Sequence, residues 1–227
     1  YAGLQNLKNN GFSVAYSESV PQAQMEQVIR GYADDGYSLI IGHSFEYGSA
    51  FAEIAPEYPA TYFFASTFKP AEKTPTNVEY VNLAYIQGAY AAGALAALIS
   101  DNGKAVGFVG ADVIWHAADV TGLGAMQGAA AGKVKAMGCY VDQKDVAPDF
   151  VACSFRQNLD WMVEQVGESV ASKHFDGGEE WSPSVGKAWS VVNGSKQYNE
   201  KLVSATAWAT FEQIWQQLDS GALKPTV

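Results

Sequence analysis

Four side chains in the middle of the chain carry groups that could do chemistry: His116, Asp119, Cys139 and Asp142. Together they offer a thiol nucleophile, a general base and acidic partners, which is the set that a cysteine-dependent hydrolase uses. The surroundings of the thiol argue against this, because Cys139 lies inside the apolar run 134–141, where an inert buried thiol is the usual state. We therefore expect a protein that is not an enzyme, with the hydrolase as the less favoured alternative.

The histidines and cysteines are not spaced as metal ligands. His43, His116 and His174 lie in separate segments and show no spacing such as His-x-x-x-His. Cys139 and Cys153 are too few for a zinc site and need not form a disulfide, so they leave the redox compartment open. No metal and no cofactor is expected.

Apolar periodicity places these residues on alternating strands and helices. Short alternating or continuous apolar runs predict strands at 12–16, 38–42, 62–65, 78–82, 104–110, 111–117 and 134–141. Helical spacing predicts helices that end before Gly11, run from Pro21 to just before Gly36, run through Ile54, begin at Ala84, and cover 207–218. Strands that alternate with helices favour a parallel sheet covered by helices, which is the α/β class.

Ligands of parallel sheets bind beyond the carboxyl ends of the strands, where the strand order reverses. Four segments directly follow predicted strands: 43–48, 66–70, 115–124 and 142–145. In the third segment, Thr121 and Gly122 offer free backbone N–H groups at a helix start, which suits an anion or a polar ligand edge. Tight packing explains the glycines there nearly as well.

Composition and charge exclude several classes of protein. A chain of 227 residues with 48% hydrophobic content forms one large domain or two lobes with real cores. The net charge of −10 and the lack of a basic cluster oppose binding to nucleic acid or to an anionic membrane surface. No segment reaches the ~18 apolar residues of a membrane-spanning helix.

The junction between Gly110 and Ala111 is physically unusual. Two predicted buried strands, 104–110 and 111–117, follow each other with nothing between them. Parallel neighbours need a crossover of about a dozen residues or more. We therefore predict that residues are absent between Gly110 and Ala111.

Several blocks of sequence resemble the basic membrane protein family, the substrate-binding lipoproteins of ABC importers, many of which are purine nucleoside receptors. The resemblance lies in the segments 37–45, 52–59, 85–97, 104–110, 111–115, 121–124 and 140–143. The block formed by 85–97 and 104–110 is the most specific of them. Relative to the family, the opening strand and part of the second lobe are missing.

The resemblance implies a fold and a role. The fold would be that of type I periplasmic-binding proteins, with two Rossmann-like lobes whose parallel sheets are joined by a hinge. The role would be capture of a purine nucleoside or nucleobase between the lobes, followed by delivery to an ABC permease in the membrane. Such a protein is periplasmic or a cell-surface lipoprotein, and nucleic acid is not among its partners.

The resemblance also assigns ligand contacts. Trp115 would stack on the base, with Phe45 and Tyr47 at its opposite face or rim. Asp142 would accept hydrogen bonds from ribose hydroxyls, and Gln157 stands where the family often carries a ligand-binding lysine. The set is completed by five residues of the same loops: His43, Ser44, His116, Thr121 and Gly122.

Each contact has a structural alternative. Trp115 could only pack its lobe, Phe45 and Tyr47 could anchor their loop, and Asp142 could cap a turn. At the level of function, the alternative is a ligand-sensing domain of the same fold that binds riboflavin or a sugar. No helix-turn-helix pattern supports a DNA-reading regulator.

The expected domain limits follow from the same comparison. A first α/β lobe is predicted over residues 1–102, and a second, incomplete lobe over residues 103–150. Residues 151–227 are predicted to supply the hinge crossings and C-terminal segments shared between the lobes.

Overall fold

The chain is built around two four-stranded sheets, each in its own unit. The computed structural model describes residues 1–67, 69, 74–100, 112–116 and 119–225. The helices are α1 (Ala2–Asn9), α2 (Met25–Asp34), α3 (Glu46–Ile54), α4 (Tyr85–Ile99), α5 (Asp119–Ala131), α6 (Leu159–Ala171), α7 (Val185–Ala188) and α8 (Ala205–Asp219). The strands are β1 (Leu39–Gly42), β2 (Tyr62–Ala65), β3 (Val78–Val81), β4 (Val113–Trp115), β5 (Lys135–Tyr140), β6 (Val151–Gln157), β7 (Glu180–Trp181) and β8 (Trp189–Val192).

The first unit comprises Tyr1–Leu83 and Leu159–Pro183. Its sheet has the order β1-β2-β3-β7, and all neighbouring strands are parallel. The core contains Ile29 of α2, Phe51 of α3 and Phe63 of β2, all at most 2% exposed. Parallel strands with buried side chains and helical crossovers give the α/β architecture that the sequence predicts.

The second unit comprises Ala84–Asn158 and Ser184–Val227. Its sheet has the order β4-β5-β6-β8, in which β8 runs antiparallel to β6 and the other neighbours are parallel. One core cluster joins α4 and α8 to strand residues such as Phe155, and another joins Met126 of α5 to Ala136 of β5. These two clusters hold helices α4 and α8, and helix α5, to the strands that carry the predicted ligand residues.

Most predicted elements are confirmed close to their predicted bounds. Strand β2 matches 62–65 as predicted, and the predicted run 134–141 contains β5. Helices α1 and α2 end at left-handed glycines, Gly11 and Gly36, whose N–H groups donate to Lys8 O and Ala33 O. This is the C-terminal capping geometry that the sequence analysis predicts at both glycines.

One predicted strand is wrong. Residues 12–16 form no strand, although Phe12 and Val14 keep an alternating, half-buried pattern. Alternation alone does not make a strand, because a strand needs a hydrogen-bonded neighbour, and β1 pairs only with β2 among the described residues. The predicted strand 104–110 and the junction between Gly110 and Ala111 lie outside the described residues.

The observed units differ from the predicted limits of the lobes. The N-terminal segment of the first unit ends at Leu83 rather than at residue 102, because α4 packs against α8 and β4 in the second unit. The second unit correspondingly extends beyond 103–150, and residues 151–227 are divided between both units. Whether any segment is missing from the second unit stays a prediction.

Candidate functional site

Trp115 ends β4 and is half-buried. Its ring meets Phe155 of β6 edge-on, with centroids 6.3 Å apart and an interplanar angle of 67°. The indole Nε1 is buried and has no hydrogen-bond partner among the described residues. Because a buried indole N–H usually finds an acceptor, packing alone does not account for this side chain.

His116 follows Trp115 and is buried, with 7% of its surface exposed. Its Nε2 lies 2.8 Å from Gln143 Oε1. Its Nδ1 faces the backbone of Gly122 in α5, where a Cβ atom would lie 2.0 Å from that nitrogen. Gly122 therefore serves close packing of α5 on His116, which is the alternative given above for the glycines of this segment. Thr121 is exposed in the first turns of the same helix.

Asp142 is exposed just beyond β5, and its carboxylate is already engaged inside the unit. Oδ2 accepts a hydrogen bond from Gly194 N at 2.7 Å, and Oδ1 accepts from Lys144 N at 3.1 Å. Ser154 Oγ donates to Oδ1 at 3.4 Å. This is the turn-capping arrangement, and it leaves about one of the roughly four acceptor positions of a carboxylate. Asp142 could thus accept from one ligand group, but not from both hydroxyls of a ribose.

Gln157 ends β6 and is 4% exposed. Its Nε2 is buried and has no partner within the described part of the chain. The strand register pairs Gln157 with Trp189 of β8. Since Phe155 and Gln157 are two residues apart on one strand, their side chains leave the sheet on the same face, which is the face that Trp115 contacts through Phe155.

Two residues of this region were not among the predicted contacts. Tyr140, at the end of β5, has a φ of 70°, a conformation that is strained for a bulky residue. Its ring stacks on that of Trp189 with centroids 6.5 Å apart. Gln143 is buried and bonded to His116. The sequence offers no signal for the strain, and Gln143 was included only as a member of the segments 140–143 and 142–145, with no role of its own.

The predicted contacts of the first unit lie at the end of β1. His43 Nδ1 is hydrogen-bonded to Ser66 Oγ at 2.6 Å. Ser44 has a φ of 130°, and its hydroxyl donates to the carboxylate of Glu46, which lowers the pKa of that carboxyl. These polar side chains have protein partners within the unit.

The two aromatic residues of this loop differ from each other. Tyr47 lies over Gly42, where a Cβ atom would be 2.4–2.5 Å from the tyrosine ring and its Cβ, and it packs on Phe51. Burial, and next the charge of Glu46, raise the pKa of Tyr47. Phe45 is instead 75% exposed. Tyr47, in the first turn of α3, therefore packs inside this unit, whereas Phe45 makes no comparable contact in the described structure. Ligand contact by either residue stays a prediction.

Neither cysteine has the surroundings of a catalytic nucleophile. Cys139 and Cys153 are free thiols that are at most 1% exposed. Burial, and next the charge of Asp142, raise the pKa of Cys153, which disfavours the thiolate that attacks substrates. Within the described ranges, no group of three or more acidic, histidine or cysteine side chains is arranged to hold a metal ion. The same part of the chain contains no helix that is both long and apolar enough to cross a bilayer.

The fold is that of the periplasmic-binding class of ABC solute-binding proteins. A solute-binding protein from Aeropyrum pernix superposes with a TM-score of 0.80 at 18% identity, over 99% of this chain and 87% of that one. A second, from Conexibacter woesei, gives 0.72 at 18% identity over 99% and 91%. A transcriptional activator of the comK gene from Bacillus halodurans gives 0.79 at 17% identity over 100% and 94%. These likenesses confirm the predicted α/β fold class.

Residues 1–111 match the Bmp family model, described as ABC transporter substrate-binding protein, PnrA-like. The resemblance seen in the sequence is thereby confirmed, and the class it defines is one of extracytoplasmic binding proteins. Comparison with curated proteins gives no match. The matched residues include the loop after β1, whereas Trp115, Asp142 and Gln157 lie beyond them, so their roles stay predictions.

Proposed function

We propose that this chain is the solute-binding protein of an ABC importer, and that it captures a purine nucleoside or nucleobase without converting it. The family of residues 1–111 supports the transport role. The choice of a purine, attachment to the membrane through a lipid, and delivery to a particular permease belong to this proposal. They derive from the resemblance of the sequence to purine nucleoside receptors.

A group of unpartnered buried nitrogen atoms carries the proposal. In the described part of the chain these are Trp115 Nε1, His116 Nδ1 and Gln157 Nε2, all on residues predicted to contact ligand. A buried polar group left unpaired costs about 1–3 kcal/mol, and native proteins keep few of them. His116 Nδ1 is closed off by Gly122. Two N–H donors therefore remain, at the carboxyl ends of β4 and β6, where ligands of parallel sheets bind.

The remaining groups suit the polar edge and the face of a purine. Trp115 Nε1 and Gln157 Nε2 donate, and purines present ring nitrogens and carbonyl oxygens that accept. Stacking of a base on the Trp115 indole would add about 1–3 kcal/mol. Asp142 has room for one further donor, such as an amino group or a single hydroxyl. This set recognises the base more fully than the ribose.

A thermal-shift screen tests the proposal. The chain is melted with adenosine, guanosine, inosine, adenine, riboflavin and a few sugars. A ligand at a hundred times its Kd adds about 2.7 kcal/mol of stability, which raises Tm by several degrees. We expect a purine-selective shift that Trp115→Ala abolishes and Trp115→Phe, which keeps the stacking face, reduces. Recovery of the purine unchanged after incubation separates binding from catalysis. A cooperative melt that no purine shifts would contradict the proposal.

A ligand-sensing domain is the second candidate, and one structural likeness favours it. The similar structure from Bacillus halodurans is titled a transcriptional activator. The fold is therefore compatible with sensing as well as transport, and a sensor would bind its ligand without a permease. A shift with riboflavin or a sugar, and none with purines, would favour this candidate over the first.

A further inference from the structure

A chain of hydrogen bonds links residues on or next to β4, β5 and β6 in the second unit, and the buried Gln143 lies at its centre. Gln143 Oε1 is 2.8 Å from His116 Nε2, beyond β4, and accepts from Cys139 N of β5 at 2.9 Å. Gln143 N donates to Ser154 Oγ of β6 at 3.0 Å. Ser154 Oγ in turn donates to Asp142. One side chain thus connects the residue after Trp115 with the turn that holds Asp142.

The backbone fixes which way the amide of Gln143 points. Cys139 N–H is a donor and nothing else, so the atom facing it must be an acceptor, namely Oε1. His116 Nε2 lies against the same oxygen and must therefore carry a proton. Nδ1, which faces the Gly122 backbone and has no partner in the described residues, is left as the unprotonated nitrogen.

Space for this arrangement is provided by a glycine inside β5. A Cβ atom on Gly138 would lie 2.5 Å from Ser154 Oγ and 2.8 Å from Gln143 Oε1. A glycine inside a strand often marks a place where another group approaches closely. Here the approaching groups are the side chains of Ser154 and Gln143, and the absence of a Cβ on Gly138 leaves room for the hydrogen bonds that they form.

We infer that Gln143 is a positioning residue: it holds the proton of His116 on Nε2 and thereby keeps the Trp115–His116 strand end in register with the Asp142 turn. A neutral histidine has two tautomers, and the hydrogen bond of one ring nitrogen selects between them. The effect of Gln143 on ligand affinity rests on the proposed function. Its effect on the histidine does not.

The tautomer of His116 is measurable by long-range proton–nitrogen NMR on uniformly ¹⁵N-labelled protein. The chain has only three histidines, so His43→Gln and His174→Gln variants assign the His116 signals. We expect wild-type His116 to carry its proton on Nε2. Gln143→Met removes the acceptor and should distribute the proton over both ring nitrogens. Gln143→Glu restores an acceptor, so Nε2 should again carry a proton.

Ser154→Ala is the matched control. It removes hydrogen bonds of the same chain but leaves the contact between Gln143 and His116 in place, so the His116 signals should not change. The inference is overturned if wild-type His116 carries its proton on Nδ1, or if Gln143→Met keeps the wild-type pattern. Even if Gln143→Met fails to fold, a proton on Nδ1 alone in the wild type or in Gln143→Glu would overturn the inference.

Binding gives the second readout. For whichever of adenosine, guanosine, inosine or adenine the wild type binds, Gln143→Met should weaken affinity about tenfold, the equivalent of one lost hydrogen bond, and Gln143→Glu should recover most of it. Unchanged affinity in Gln143→Met alongside an altered tautomer would overturn the positioning role. If the wild type binds no purine, the proposed function fails, while the NMR result still decides the role of Gln143 toward His116.

Discussion

The loop after β1 and the strand ends of the second unit were both predicted to contact ligand, but they differ in whether their polar groups have hydrogen-bond partners among the described residues. In the loop, His43 is bonded to Ser66 and Ser44 to Glu46. At the strand ends, Trp115 Nε1 and Gln157 Nε2 are buried without partners in the described residues. Groups that are satisfied internally stabilise their own unit, whereas unsatisfied donors cost stability until a ligand accepts from them. The second unit is therefore where we expect most of the polar recognition.

The largest effect on stability is expected for Gly122→Ala, which would disrupt the packing of α5 against His116 in the second unit. The new Cβ would be 2.0 Å from His116 Nδ1, so α5 or the end of β4 must move. Overpacking of this kind costs about 1–3 kcal/mol, and the upper end applies to so close a contact. Urea denaturation measures the loss.

Gly128→Ala is its control in the same helix, because a Cβ atom there meets open space. Alanine is the better helix former, so this variant should gain up to about 1 kcal/mol. Equal effects of the two substitutions would contradict the close contact between α5 and His116.

A second pair of variants compares an unsatisfied amide with a satisfied one. Asn77 of the first unit donates through Nδ2 to Ala55 O, Tyr58 O and Thr61 O at 2.9–3.1 Å. Asn77→Leu should therefore lose about 2–3 kcal/mol. Gln157→Met should be neutral, or stabilise the ligand-free chain by about 1 kcal/mol, because it removes a donor that has no acceptor. A loss for Gln157→Met similar to that for Asn77→Leu, in thermal or urea melts, would show that Gln157 serves the fold.

The pH dependence of stability tests one partly buried carboxyl group of the first unit, that of Glu79. Burial, and next the charge of Asp176, raise the pKa of Glu79 on β3 to about 7. The folded chain then keeps a proton that the unfolded chain releases above its ordinary pKa of about 4.5, so stability falls as pH rises from about 4.5 to 7. Because Glu79 is partly exposed, solvent screening reduces the change to the order of 1 kcal/mol.

Glu79→Gln should remove this part of the pH dependence and stabilise the chain at pH 8 relative to the wild type. Urea melts at pH 5 and pH 8 measure both effects. A wild type that is more stable at pH 8 than at pH 5, with the same slope in Glu79→Gln, would contradict the assignment to this carboxyl.

The smallest effect on stability is expected for Phe45→Ala. The side chain is 75% exposed, and substitutions at such surface positions usually change stability by less than about 0.5 kcal/mol. Its effect on purine affinity is the informative measurement. A loss of affinity without a loss of stability would assign Phe45 to the ligand, and no loss of either would leave recognition to the second unit.

The sequence predicted elements well where one signal decides them. The strand 62–65 is a continuous apolar run, and the glycine caps after α1 and α2 follow from residue type alone. The strand predicted at residues 12–16 is absent, because an alternating apolar pattern does not show whether a neighbouring strand is available for pairing. The end of the first unit at Leu83 was missed because the packing of α4 on α8 joins segments more than a hundred residues apart.

The loops of the candidate site could be predicted from the sequence, but the hydrogen bonds that their residues form could not. The rule that ligands lie beyond strand ends selected the segment with Trp115, and the family resemblance selected Gln157. A buried nitrogen of each has no partner among the described residues. The rule also covered Gln143, within the segment 142–145, but gave no reason to pair it with His116, which is 27 residues away and directly follows another strand. It also selected His116 and Gly122, whose close contact with each other could not be read from the sequence. Their contact with a ligand stays a prediction. Which partner a polar side chain finds depends on three-dimensional register.

The interleaving of the two units has a consequence for synthesis on the ribosome. The first unit needs Leu159–Pro183, which supply α6 and the edge strand β7, and the second needs everything from Ser184 onward. At about 5–20 residues per second, several seconds pass between emergence of Leu83 and emergence of β7. During that interval the nascent chain exposes the edge of β3 that β7 later covers. The first unit therefore cannot be completed before residues 84–158 of the second unit have been synthesised. The exposed edge of β3 must be kept from aggregating during that time.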